Sequence, residues 1–249
     1  MILLDESYNP YVNFGLFQVT KNTYAVMVAK DFKRVMLFFK AYAIYESPQL
    51  EIKGNQFWFF EYLNKYMKKI ESANAWLLYQ PTSFYLTNNS LENYIKFINE
   101  IDIIITPYDK YLKEIYKTIR RNQPTGDFCL LGVDSFVGKT MNNLLAKSFF
   151  NFNLDYKNEM IQLLNEIDEE LYCHIEQQVQ QLSLYKEYQD EIQAILATGI
   201  YRSMDNDHFK GIITVSEKFE SVFHNYINEL ESDLKNWSQF ESNLSKSEI

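Results

Sequence analysis

Glycine and proline are scarce in this chain of 249 residues, which contains only 7 glycines and 5 prolines. A sandwich or barrel of many short strands needs frequent turns built from these two residues, so their scarcity argues against such folds and favours helices. All five prolines lie before residue 125. We therefore expect a first half with many turns and a second half built from uninterrupted elements.

Cysteine is also rare, and Cys129 and Cys173 lie far apart in the sequence. This usage favours free thiols, buried or half-buried, in a reducing cytoplasm over a secreted chain held by disulfides. The first ten residues lack the basic region of a secretory signal. The longest uncharged run, residues 72–91, contains Pro81 and several amide side chains. We therefore expect a cytoplasmic protein with no membrane span.

Basic residues are outnumbered, with 24 Lys and Arg against 33 Asp and Glu and a net charge of −9. Residues 1–125 carry 15 basic and 12 acidic residues, or +3, whereas residues 126–249 carry 9 and 21, or −12. Lys and Arg supply most of the attraction to nucleic acids and anionic membranes, so this balance makes both unlikely partners in non-specific binding. Mimicry of nucleic acid stays open. The change in charge and proline content predicts a division into 1–125 and 126–249, with one continuous domain as the alternative.

Apolar residues are abundant, at 47% of the chain with 19 Phe and 19 Tyr, which excludes a disordered composition and suffices for a core. Short aromatic or β-branched runs predict strands. They lie at residues 14–20, 23–29, 50–60, 76–79, 84–87, 103–106 and 128–133, and the first two predict a hairpin. Helices are predicted at residues 31–45, 60–70, 90–102 and 107–121. The first half therefore combines short antiparallel strands with helices.

Apolar residues recur at steps of three and four in the second half, which predicts helices. One stripe runs from Met160 to Ile195 and a second from Phe219 to Leu244. An unbroken helix over residues 158–198 would be about 60 Å long at 1.5 Å per residue. We expect two long helices that fold back as an antiparallel hairpin, with Thr214 and Glu217 as a capping box at the second start. The predicted fold class is α+β and predominantly helical.

The segment DFCLLGVDSFVGKT, residues 127–140, resembles a phosphate-binding loop because an apolar strand, a loop and a helix start follow one another. Gly138, Lys139 and Thr140 occupy the positions that would bind phosphate and Mg²⁺. The motif requires glycine at position 133, where Val133 stands, and Asp134 adds a negative charge to the loop. We therefore favour an ordinary helix start and expect no cofactor, with a site for a Mg-nucleotide as the minority hypothesis.

Other chemistry-bearing residues form no complete catalytic or metal-binding pattern, so we expect no metal site and lean against an enzyme. Basic residues do share one face of the helix after Pro107. They are Lys110, Lys113, Lys117, Arg120 and Arg121. This basic strip either is solvated or lies against the acidic second half, or it serves a phosphate-rich partner.

The sequence favours an intracellular protein–protein interaction module that inhibits, neutralises or scaffolds a partner, of the adaptor, immunity or anti-defence type. Acidic residues on the long helices would steer a partner with a basic surface. They are Asp168, Glu169, Glu170, Glu176, Glu187, Asp190 and Glu191. The alternative is a nucleotide-binding enzyme or switch with a divergent loop at 132–140. Self-association into a homo-oligomer stays open.

Overall fold

The computed structural model describes residues 16–27, 84–100, 107–133, 138–182, 189–199, 212–228 and 230. Within these ranges the protein is mixed α/β and mostly helical, with a four-stranded sheet. The chain forms two compact units, Met1–Ser135 and Phe136–Ile249. The elements predicted between residues 31 and 79, and the strand predicted at 103–106, lie outside the described residues. The division into two halves near residue 125 stays a prediction, as does its alternative of one continuous domain.

The sheet of the first unit has the order β1-β2-β4-β3. Its strands are β1 (Leu16–Thr20), β2 (Thr23–Met27), β3 (Phe84–Thr87) and β4 (Cys129–Val133). The predicted hairpin is confirmed, since β1 and β2 pair antiparallel. However, β2 and β4 pair in parallel, so the sheet is mixed and not antiparallel throughout. A parallel pair needs a long crossover connection, and the long chain between these two strands provides one.

Two helices of the first unit match their predicted positions closely. They are α1 (Asn88–Glu100) and α2 (Pro107–Asn122). Thr87 and Ser90 cap α1 reciprocally: Thr87 Oγ1 accepts from Ser90 N at 3.1 Å, and Ser90 Oγ accepts from Thr87 N at 3.2 Å. These bonds satisfy backbone donors that the first turn leaves free. Pro107 opens α2, where its missing N–H costs nothing.

Two asparagines fix the start of β4. Asn22 Nδ2 donates to Asp127 O at 2.6 Å, and Asn22 O accepts from Cys129 N at 2.9 Å. Asn88 N donates to Phe128 O at 2.9 Å, and its Oδ1 accepts from Phe128 N at 3.4 Å. All five residues of β4 are buried. The strand predicted from the apolar run is therefore present and central to the sheet.

Helices make up the described part of the second unit. They are α3 (Lys139–Phe152), α4 (Leu154–Asn165), α5 (Glu169–Leu182), α6 (Gln189–Ala197) and α7 (212–228). An unbroken helix over 158–198 is therefore wrong. The helix stops because Asp168 caps a new one, its Oδ1 accepting from Glu170 N at 3.0 Å and from Leu171 N at 3.3 Å.

Helix α7 runs antiparallel to α4 where the two helices touch. Lys218 Nζ lies 3.0 Å from Glu166 Oε2 just beyond the end of α4, whereas Tyr226 Oη donates to Glu159 Oε1 at 2.7 Å nearer its start. These contacts do not establish the predicted hairpin of two long helices, because residues 200–211 lie outside the described ranges. Thr214 lies within α7, which already includes residue 212, so it is not the predicted cap.

The apolar stripes supply part of the buried core in the described second unit, and α3 supplies much of the rest. The buried members of the first stripe are Met160, Leu164, Ile167, Ile175, Val179, Ile192 and Ile195. Leu171 is only half-buried, so its side chain contributes less to the core than the stripe predicts. In α7 the buried aromatic residues are Phe219 and Phe223, and the predicted stripe omitted the second.

Helices of membrane-spanning character are not found in the described ranges, where none combines the length and the apolar composition needed to cross a bilayer.

Candidate functional site

The predicted phosphate site lies at the start of α3. Gly138 is the N-cap residue, with φ of 101° and ψ of −177°, a conformation that only glycine adopts without strain. Gly138 has no side chain to cap the helix, and its carbonyl accepts from Asn142 N at 3.0 Å. Lys139 is exposed and Thr140 half-buried. The residue predicted to begin the phosphate site, Gly138, therefore occupies a position whose backbone conformation requires glycine.

A phosphate cradle needs several backbone N–H groups curled around one point. Residues 134–137, which would supply most of them, lie outside the described residues. A Cβ atom added to Gly138 would meet no atom within 4 Å, so this glycine faces open space on that side. Phosphate binding by Gly138, Lys139 and Thr140 therefore stays a prediction.

Part of the basic strip on α2 has partners within its own unit. Lys113 Nζ donates to Asn99 Oδ1 at 3.1 Å, and Lys117 Nζ lies 2.6 Å from Glu114 Oε1. Arg121 is exposed, and the side chain of Lys110 lies outside the described residues. The described lysines of the strip thus have partners on α1 and α2.

Arg120 serves the structure of the first unit. Its guanidinium donates to Glu92 Oε1 at 2.7 Å and to Gly126 O at 2.8 Å. Its Cζ also lies 4.9 Å from the centre of the Phe128 ring, within cation–π range. The hydrogen bond from Arg120 holds the pKa of the Glu92 carboxyl below its usual value. This arrangement gives Arg120 a structural role and leaves it poorly placed to bind a phosphate-rich partner.

Helices α3, α4 and α6 bury a polar cluster that the sequence did not predict. The cluster consists of Lys147, Tyr156, Glu191 and Gln193, all less than one-tenth exposed. Lys147 Nζ forms an ion pair with Glu191 Oε2, and these side chains are 9% and 5% exposed. Gln193 Nε2 donates to Ala146 O at 3.1 Å, and its Oε1 accepts from Tyr156 Oη at 2.9 Å. The cluster thus joins α3, α4 and α6 through buried bonds.

Burial raises the pKa of the Tyr156 hydroxyl far above its usual value, and the neighbouring Tyr226 adds to the effect. The folded state therefore keeps the neutral phenol when the unfolded chain has begun to lose its proton. The stability that Tyr156 contributes is fully present below about pH 10, its unfolded pKa, and is lost as the pH rises above that value.

We expect Tyr156→Phe to destabilise the protein by about 1–3 kcal/mol at neutral pH, because Gln193 Oε1 loses a buried donor. Above about pH 10 the difference in stability between the wild type and the variant should shrink, because only the wild type has a phenol that titrates at this position. Melting temperatures of both proteins between neutral and strongly alkaline pH measure the effect. If the melting temperatures of the two proteins changed in parallel with pH, burial would not be raising the pKa of Tyr156.

The predicted acidic surface is smaller than its seven residues suggest. Glu191 is buried in its ion pair with Lys147, so it does not face solvent and its assignment to this surface is wrong. Glu187 lies outside the described residues, and Glu176 and Asp190 are half-buried. Glu169 and Glu170 are exposed in the first turn of α5. Asp168 is exposed too, but its carboxylate caps this helix.

The two cysteines and many of the possible metal ligands can be located in the described ranges. Cys129 is buried in β4, and Cys173 is an exposed free thiol on α5, which differs from the predicted burial. Among the described residues, no group of three His, Cys, Asp or Glu side chains could hold a metal ion.

Comparison with known proteins gives no assignment: no protein-family model matches this chain, and neither a curated protein nor a solved structure does.

Proposed function

We propose that the protein is a cytoplasmic interaction module that inhibits, neutralises or scaffolds a protein with a basic surface. The acidic helices of the second unit would form the docking surface. In its described ranges this unit carries eleven acidic and four basic residues. Two of the four lysines are engaged, Lys147 with Glu191 and Lys218 with Glu166. The excess negative charge is therefore largely uncompensated within these ranges.

Glu169 and Glu170 carry the proposal. Both are exposed, adjacent to exposed Asp168, and neither forms an ion pair within the described part of the chain. Carboxylates that have no cation nearby leave a negative field in solution, which speeds encounter with a positively charged protein. The surface we propose for docking, named the α5 acidic turn, consists of these three residues.

The acidic residues of the α5 acidic turn also have a simpler explanation than docking. Acidic residues in the first turn of a helix complement the positive end of the helix dipole and stabilise the helix. That role concerns stability alone, whereas steering concerns the rate of association and its dependence on salt. The two roles can therefore be separated by kinetics.

The first experiment captures partners on the immobilised full chain from an extract of the source cells, followed by association kinetics with each purified partner. We expect Glu169→Gln/Glu170→Gln to slow association at low ionic strength, because two charges of the α5 acidic turn are lost. The effect should shrink at about 0.15 M salt, where the Debye length is near 8 Å. Stopped-flow or surface-based association rates measure it.

Asp155→Asn/Glu217→Gln is the matched control, since it removes two exposed charges of the same unit outside this turn. A similar slowing by both double variants would indicate steering by net charge with no localised surface. Association that is independent of salt for the wild type, or failure to retain any protein with a basic surface, would contradict the proposal.

A nucleotide-binding enzyme or switch is the second candidate. The observation that favours it is the start of α3, a helix of 14 residues whose N-cap residue, Gly138, provides no side-chain cap and whose first residue, Lys139, is exposed. Free N–H groups and the dipole at such a terminus attract anions. Val133 and Asp134 weigh against this candidate, because the loop lacks the first glycine of the motif and carries an acid.

Thermal shift against ATP, GTP and their diphosphates with Mg²⁺ tests the second candidate. A ligand at a hundredfold excess over its dissociation constant stabilises the folded state by about 2.7 kcal/mol, so a true ligand should raise the melting temperature measurably. The shift should vanish in Lys139→Ala and persist in Lys21→Ala, which removes another exposed lysine. No shift at millimolar nucleotide would leave the start of α3 with a structural role only.

A further inference from the structure

We draw no further inference here: the strongest candidate, the buried polar cluster of Lys147, Tyr156, Glu191 and Gln193 between α3, α4 and α6, carries none because its side chains bond to one another and to the backbone and nothing in the structure points to a ligand for it.

Discussion

Replacing Glu191 by Gln should lower the free energy of unfolding by about 3–5 kcal/mol, the usual effect of removing one partner from a buried ion pair. The variant leaves the amino group of Lys147 without the carboxylate that compensates it, and the lysine side chain is only 9% exposed. The surrounding core offers little water to solvate the ammonium group. Urea unfolding of the full chain, followed by the helical signal, should show the loss as a lower midpoint.

A second variant separates charge from packing in this pair. Lys147→Met/Glu191→Leu removes both charges and keeps apolar volume, so it should recover most of the lost stability. Lys218→Ala serves as the matched control because it breaks an ion pair whose side chains are 61% and 46% exposed. Water screens such a pair, so the midpoint should not move measurably. Equal effects of Glu191→Gln and Lys218→Ala would show that the pair of Lys147 and Glu191 is not isolated from solvent.

Local signals in the sequence predicted the elements of the first unit well. The β1–β2 hairpin follows from two β-branched runs and a two-residue break, and α2 follows from Pro107 at a compatible position. The parallel pairing of β2 with β4 could not be predicted in this way. It joins segments distant in the chain, and no local pattern records the direction of such a pair.

The break between α4 and α5 escaped the prediction for a physical reason. Ile167 is buried although it lies between the two helices, so the apolar spacing continues where the helix does not. Periodicity alone therefore could not locate the break. The usable signal was Asp168 followed by Glu169 and Glu170, an N-cap residue with acids in the first turn.

In the candidate sites, too, the sequence predicted local features and missed contacts between distant segments. Gly138 was placed correctly at a helix start because glycine and the following helical segment are adjacent in sequence. Lys147 was overlooked, although a lysine inside the apolar run LLAKSFF is itself a signal that a charge must be paired. Its partner, Glu191, lies on a different helix, so the pair became visible only in three dimensions.

Phe128 makes several separate contacts within the described part of the first unit. Its ring is fully buried, packs edge-on against Tyr24 with centroids 5.9 Å apart, and lies 6.2 Å from the ring of Tyr116. Arg120 covers the ring with its guanidinium. The backbone of Phe128 also pairs with Asn88 at the start of α1. The side chain therefore connects β2, α2 and the segment before β4.

Phe128→Ala should therefore lower the free energy of unfolding by about 3–5 kcal/mol, since it removes a buried ring and leaves a cavity. Phe128→Leu is the matched control, because it restores most of the apolar volume and should cost less than about 1.5 kcal/mol, apart from the lost contact with Arg120. Urea midpoints at neutral pH compare the three proteins. If alanine and leucine reduced stability equally, the aromatic contacts with Tyr24, Tyr116 and Arg120 would outweigh the cavity, and if neither reduced it, Phe128 would not belong to the core of this unit.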